Sequence, residues 1–315
     1  MYVMKKMKPP LVTVCLITHD RKKEARACLE SIYKSTLKDF EVLLFDNNSK
    51  IKFHQSELKK YTNLRYVYND INIGGAGGRS ICEKKARGKY LLMLDDDTLI
   101  EDTMIEALVK VMEKDSQIGI SAPKNFFYDG GKTDILLGGL GKFSFITTMC
   151  SDRAYNQKDC GQFEKIEPID YAQNGFMIRR NASRLVGGHD ARLFMTYMET
   201  DLFRRVQKAG YKTLFIPGAK LWHRFKMRPS LNNLRDNLGL ESPARIYYNM
   251  RNRSVIMKRH AAWYAKIFYI GVLVHLFFLY YFYKFLSYKA EKYYFINLGK
   301  GYVRGLSIFC NLSRL

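Results

Sequence analysis

An α/β fold with a mostly parallel central sheet and helices on both faces is what this sequence predicts. Three observations predict it. Short apolar runs alternate with helix-period stretches through the first 122 residues, the pattern of strand–helix–strand units. Each of the leading runs ends in a cluster of Asp, Asn, Thr or His. Hydrophobic residues make up 47% of 315 residues, enough for a sizeable core.

The elements follow in order. Residues 11–18 form a buried-type strand, followed by the polar turn His19-Asp20-Arg21. Ala25, Cys28, Leu29 and Ile32 recur at helical spacing, so 22–35 is an amphipathic helix. Apolar runs at 40–45 and 64–68 end in Asp46-Asn47-Asn48-Ser49 and Asn69-Asp70-Ile71-Asn72. The cluster Gly74-Gly75-Ala76-Gly77-Gly78 opens a short helix reaching about residue 86. Residues 90–94 are a fourth strand, 101–114 a helix with Ile105, Leu108, Val109 and Met112 on one side, and 118–122 a fifth strand. Residues 124–168, rich in glycine and aromatic side chains without a regular period, read as hairpins and loops. A further strand lies at 175–178, and a helix starts near Asp201 and ends at Gly210, well placed as its C′ glycine. A last short strand spans 214–217.

The fourth strand runs straight into Asp95, Asp96 and Asp97. Adjacent carboxylates at the end of a buried strand repel one another and are costly to desolvate. A divalent cation relieves that cost, and oxygen ligands favour Mg²⁺ or Mn²⁺. Taken alone, the triplet fits a solvated acidic turn equally well. In open sheets of this kind ligands gather outside the carboxyl ends of the strands. Four polar clusters in succession on that rim favour a nucleotide-sized pocket over ordinary turn chemistry.

The net charge is +22, and residues 241–315 hold twelve Lys/Arg against two acids. Such an excess implies an anionic partner. Because these basic residues lie beside long aromatic runs, an anionic membrane surface is expected rather than nucleic acid. Residues 267–283 are apolar except for His275 and are bounded by Lys266 and Lys284. A span needs ~20 apolar residues, so the run predicts a helix lying in the interface, with a single transmembrane helix as the alternative. The six cysteines contain no Cys-x-x-Cys pair, which argues against a zinc or disulfide framework and suits a reducing cytosol. Residues 1–8 are basic but lack the apolar core of a signal peptide.

The ordered set Val12-Thr13-Val14 to Arg21, Asp46-Asn47-Asn48-Ser49, Asn72-Ile73-Gly74-Gly75, Asp95-Asp96-Asp97, Glu199-Thr200-Asp201 and His223 resembles the inverting glycosyltransferases of family 2, which have the GT-A fold. The resemblance covers about residues 10–225. It implies a catalytic domain at 1–230, with a nucleotide-sugar half at 10–123 and an acceptor half at 124–230. A basic, aromatic helical tail at 231–315 would then associate with the membrane at its cytoplasmic face, and residues 246–252 resemble the segment that follows the catalytic domain in membrane-associated members.

Site roles come with the resemblance. Thr18 and Asp46 would contact the nucleoside, with Arg21 and Asn48 on the same rim. Asn72, Gly74 and Gly75 would pass close to base, ribose or phosphates, where a Cβ would clash. Asp95 and Asp96 would approach the ribose or sugar, Arg79 the diphosphate. Asp97, Asp95 and His223 would hold Mg²⁺ or Mn²⁺. Glu199 aligns with the catalytic carboxylate, with Asp201 as the competing candidate. The glycine run and triple aspartate further resemble the galactofuranosyltransferase branch, although Arg79 stands where that branch usually has an aromatic residue. The donor implied is UDP-galactofuranose or a UDP-hexose, with dTDP-rhamnose as the alternative, and the acceptor a lipid-linked or cell-surface glycan.

Other classes fit less well. A sugar nucleotidyltransferase would need a glycine-rich, basic loop near the N-terminus, and residues 11–20 contain no glycine. A non-catalytic binding module needs no acidic triplet at a strand end. A processive synthase would carry several spans and a Gln-x-x-Arg-Trp motif.

Overall fold

The computed structural model describes residues 8–224 and 242–312. The boundary expected near residue 230 lies outside them. A ten-stranded sheet forms the centre. The first part matches the expected alternation: β1 (Val12–Thr18), α1 (Lys22–Tyr33), β2 (Phe40–Asn47), α2 (Gln55–Leu58), β3 (Leu64–Asn69), α3 (Gly74–Lys85), β4 (Tyr90–Asp95), β5 (Thr98–Ile100), α4 (Met104–Lys114) and β6 (Ile118–Tyr128). Then come β7 (Lys132–Gly138), the hairpin of β8 (Gly141–Ser144) and β9 (Met149–Asp152), β10 (Glu167–Pro168), β11 (Gly175–Arg179), α5 (Arg180–Leu185), α6 (Met198–Lys208) and β12 (Lys212–His223).

The sheet is mostly parallel, with strand order β10-β12-β6-β11-β4-β1-β2-β3, β5 paired to β12 and β7 to β6. β1, β2, β3 and β4 run the same way. β11 is inserted antiparallel between β4 and β6, so β6 and its parallel partner β12 share the direction of β4. Strand alternation sends Val12, Val14 and Leu16 to one face, where α1 and α4 cover them with Cys28, Leu29, Ile32, Ile105 and Leu108. Cys15, Met93 and Phe176 point to the other face and meet Leu202, Phe203 and Val206 of α6. The parallel register sets Thr18 opposite Asp46 and Ile17 opposite Asp95, which places the polar strand ends on one rim.

Three helices close the described chain: α7 (Pro243–His260), α8 (Trp263–Ser287) and α9 (Lys292–Phe309). They share a core of Ile246, Met250, Met257, Tyr269, Phe285 and Leu298. α9 lies close on α7 because Gly301 meets the Tyr247 carbonyl, where a Cβ would stand 2.6 Å from that oxygen. α8 runs past both ends of the apolar stretch read from sequence, with a π-helical turn at Tyr269–Leu273. Its His275 is satisfied by the Tyr302 hydroxyl at 2.6 Å and the Ile270 carbonyl at 2.9 Å.

Candidate active site

The acidic triplet and His223 are 126 positions apart in sequence and adjacent in space. The cause is β5, which follows the triplet and pairs antiparallel with the end of β12, setting His223 opposite Thr98. The Arg224 amide also donates to the Asp97 carbonyl at 2.9 Å. His223 Nε2 comes within 3.0 Å of Asp97 Oδ1. Arg21 pairs with the other Asp97 oxygen and lies 3.5 Å from Asp96. The Thr18 hydroxyl donates to Asp96 Oδ2 at 2.8 Å.

These contacts divide the triplet chemically. Burial and the charge of Asp97 push Asp96 up to about 7, against the pull of Arg21 and Thr18. Burial acts on Asp97 in the same sense, but the bond from His223 and the charges of His223 and Arg21 outweigh it and hold the carboxyl low. Asp95 turns instead to Arg79, whose Nη2 lies 2.6 Å from its Oδ1. Arg79 also pairs through Nη1 with Glu199 Oε1. Its guanidinium is buried, yet the two carboxylates hold its proton more tightly than usual. Arg79 is therefore an internal clamp between the end of β4 and the first turn of α6.

The structure gives several of the expected site residues partners within the protein. Asp46 is fully buried. Its Oδ1 accepts from the Ser49 amide at 2.8 Å and its Oδ2 from the Tyr66 hydroxyl at 2.7 Å. Both bonds anchor its turn. Thr18 is likewise buried and committed to Asp96. Asn48 has φ 71° and accepts from the Tyr68 hydroxyl at 3.2 Å. The glycines approach protein rather than open space: a Cβ on Gly74, which has φ +74°, would lie 2.4 Å from the Phe194 carbonyl oxygen, and one on Gly75 would lie 3.2 Å from Met198.

Asp201 is the clearest correction. It has no exposed surface and faces Arg205 at 2.8 Å, Arg259 at 3.1 Å and His260 at 2.8 Å. Burial would raise its pKa, but the bond from His260 and the charges of Arg205 and Arg259 prevail and hold it well below the usual carboxylate range. A buried carboxylate bound to three basic side chains is no proton acceptor for a substrate. It fastens α7 to α6. A group whose pKa is lowered by folding adds stability above the ordinary carboxylate range and loses it as the pH falls. Removing the buried carboxylate leaves the partly buried Arg205 and Arg259 uncompensated, so Asp201→Asn should cost about 3–5 kcal/mol of stability. Thermal melting at neutral pH checks this; an unchanged melting temperature would contradict it.

Two residues escaped the sequence reading. Asn47 ties three loops together: its Nδ2 donates to Asn72 Oδ1 at 3.0 Å and to the Gly74 carbonyl at 3.2 Å, and its Oδ1 accepts from the Ile73 amide at 3.0 Å. Asn72 Oδ1 in turn accepts from the Gly74 amide at 2.9 Å. The signal was present, since Asn47 lies inside the Asp-Asn-Asn cluster. The second is Asn252, fully buried on α7 within the aromatic segment already singled out. It reaches the loop ahead of Glu199, where Phe194, Thr196 and Tyr197 all have left-handed backbone at φ 63°, 58° and 59°. Such non-glycine conformations cost on the order of 1–3 kcal/mol each and persist only where the surroundings enforce them.

A divalent cation fits part of this rim. Asp97 and His223 converge at 3.0 Å, one carboxylate and one imidazole. The Arg21 guanidinium already lies against Asp96 and Asp97, a positive group where the electrostatics favour one. The expected third ligand is not in place: Asp95 is committed to Arg79, and among the described residues no group of three His, Cys, Asp or Glu stands ready to hold an ion. A cation here would draw two ligands from the protein and the rest from phosphate oxygens and water, the usual habit of Mg²⁺.

A profile described as Glycosyl transferase family 2 matches residues 13–186, more than half of the chain. The chain belongs to glycosyl transferase family 2. An uncharacterized glycosyltransferase of Haemophilus influenzae is 30% identical over 137 residues, covering 44% of this chain and 43% of its own. The chain thus spans less than half the length of this relative. An N-acetylglucosaminyl-diphospho-decaprenol L-rhamnosyltransferase of Mycobacterium tuberculosis is 24% identical over 236 residues, covering 68% of this chain and 76% of its own. Among solved structures, GalNAc-T7 with UDP, GalNAc and Mn²⁺ superposes with a TM-score of 0.59 at 18% identity, covering 69% of this chain and 43% of the other. S. aureus TarS 1-349 in complex with UDP-GlcNAc superposes with 0.58 at 13% identity over 93% of this chain and 81% of the other. These likenesses establish the GT-A fold for this family 2 chain.

Proposed function

We propose that this chain transfers a sugar, with inversion, from a nucleoside diphosphate donor to a hydroxyl of a lipid-linked or cell-surface glycan, with a divalent cation as cofactor. One observation carries the reading. Glu199 and Asp95 are joined by the buried Arg79, beside the Asp97–His223 pair, so a base candidate and a diphosphate-side cluster share one rim. Glu199 takes the proton of the acceptor hydroxyl as that oxygen attacks the anomeric carbon. Arg79 holds Glu199 Oε1, and a carboxylate has enough lone pairs for Oε2 to receive the proton. Attack opposite the leaving group inverts the centre in one displacement. Asp97 and His223 would hold the cation, which when bound neutralises charge on the departing diphosphate.

UDP-galactofuranose or a UDP-hexose is the favoured donor. The rhamnosyltransferase relative, matched over most of its own length, supports dTDP-rhamnose as a second reading. Galactofuranosyltransferase GlfT2 of Mycolicibacterium smegmatis, at 24% identity, is matched over 31% of its length. The test is a donor panel with Mn²⁺ or Mg²⁺ and mass spectrometry of the products. Release of nucleoside diphosphate from one donor is expected; pyrophosphate release would point to nucleotidyl transfer and overturn the reading.

Membrane association at the cytoplasmic face is part of the same proposal. α8 is 25 residues long; its most apolar window has a mean hydropathy of 1.7, and 22% of that window is buried. Ala265, Tyr269, Val274, Tyr281 and Phe285 pack inward, while Tyr264, Ile267, Val272, Leu276, Leu279, Tyr283 and Leu286 remain exposed. A helix with one apolar side on protein and the other uncovered suits lying in a leaflet better than crossing it alone. Lys266, Lys284, Lys289, Lys292, Lys300 and Arg304 suit anionic headgroups. Replacing Ile267, Leu276, Leu279 and Tyr283 together by Gln should abolish co-sedimentation with phosphatidylglycerol vesicles and leave the melting temperature unchanged. Retained sedimentation would reject this face as the contact.

A further inference from the structure

We propose that Asn252 is a positioning residue for the proposed base: it holds the strained loop before α6 in the one conformation that presents Glu199. The inference rests on the reading of Glu199 as base. The geometry is specific. Asn252 Nδ2 donates to the carbonyls of Leu193, Met195 and Thr196 at 2.8, 2.7 and 3.1 Å. Its Oδ1 accepts from Arg251 Nε at 2.8 Å, which fixes the orientation of the amide. Three carbonyls converging on one NH₂ group require the backbone to fold around it. That fold is the run of left-handed residues Phe194, Thr196 and Tyr197. Thr196 is β-branched, for which this conformation is an outlier. Nothing in the loop's own sequence favours it, so the enforcement comes from outside.

Neighbours complete the hold. Arg253 donates to the Tyr197 hydroxyl at 2.9 Å, and Tyr248 stacks on Phe194 with ring centroids 4.7 Å apart and planes 10° apart. From the other side, the Ala76 amide donates to the Phe194 carbonyl at 3.0 Å. Tyr197 is the residue immediately before α6, and Glu199 sits in the first turn. The direction of that turn, and with it the Glu199 carboxylate, is set by how the loop exits. Asn252 touches the loop and not Glu199, so it acts through the backbone.

The test uses the full chain and four variants: Asn252→Ala, Asn252→Asp, Thr196→Gly, and Asn252→Ala combined with Thr196→Gly. Asn252→Asp keeps the shape but donates nothing and sets a negative charge against three carbonyls. Each variant is measured for UDP affinity with Mn²⁺ by calorimetry, for kcat and KM of nucleoside diphosphate release from the donor found in the panel, and for amide exchange over 193–201. Expected is a loss in kcat of about 100-fold for both Asn252 variants, the scale of misplacing a reacting group by an ångström. UDP affinity and donor KM should stay within about threefold on the same ground, and exchange should accelerate in 193–201. Glycine adopts the left-handed conformation freely, so Thr196→Gly should restore about tenfold of the kcat lost in Asn252→Ala.

A kcat close to that of the parent chain overturns the proposal. So does a loss of UDP binding matching the loss of kcat, since Asn252 would then support the fold at large. Glu199→Gln separates the two readings. If it retains turnover while Asn252→Ala does not, the base assignment fails and with it the role of Asn252 toward Glu199. If Glu199→Gln is inactive and Asn252→Ala is not, the positioning role of Asn252 alone fails.

Discussion

Glu199→Gln should lower turnover by about 10²–10⁴-fold, the usual contribution of a general base, and leave UDP bound as tightly as before. The amide keeps the length of the side chain and still offers an oxygen to Arg79. What it loses is the ability to take a proton. Arg79 retains Asp95 as its second partner at 2.6 Å, so the end of β4 stays in place. Nucleoside diphosphate release and UDP calorimetry on the same preparation check both halves. A rate within a few-fold of the parent chain would remove Glu199 from the chemistry. Asp201 could not take its place, because it is enclosed by Arg205, Arg259 and His260.

Asp97→Ala is the second large effect. It removes the carboxylate that His223 Nε2 approaches at 3.0 Å. Mn²⁺-stimulated UDP binding should weaken about 100-fold or more, since a cation on a diphosphate contributes several kcal/mol of charge stabilisation. His223→Ala should weaken it less, because the carboxylate supplies the charge. A Mn²⁺ titration of UDP binding reads the result; a curve superposable on that of the parent chain would reject Asp97 as a ligand. Arg21 complicates neither outcome: without Asp97 it still lies 3.5 Å from Asp96.

How much of this was legible beforehand depended on the range of the contacts involved. Strands and helices whose apolar period stands alone, such as β1, α1, β4 and α4, were readable within a few residues. β6 and β12 were read as stopping at Ala122 and Pro217, because proline and glycine signal the end of a strand. Here β6 continues through Pro123, and β12 absorbs Pro217 and Gly218 in a register shift between Ile216 and Lys220. That continuation carries His223 to the acidic rim. The polar cluster positions were visible, but their commitments were not. Asp46, expected at the nucleoside, also accepts from the Ser49 amide and the Tyr66 hydroxyl. Arg79, expected at the diphosphate, is buried and pairs with Glu199, 120 positions away. Local pattern cannot report such partners, because two distant segments must first be folded together.

The position of α7 bears on how this enzyme family member is prepared for study. A sequence-based trimming near residue 230 looks attractive, since it discards the greasy end and keeps every acidic motif. Yet α7 sends Arg259 and His260 to Asp201, and Arg251 to the carbonyls of Arg192 and Leu193. A shortened protein would leave those groups bare. Solubility is better sought by recolouring the uncovered side of α8 with polar residues, which leaves the inward-facing seam whole.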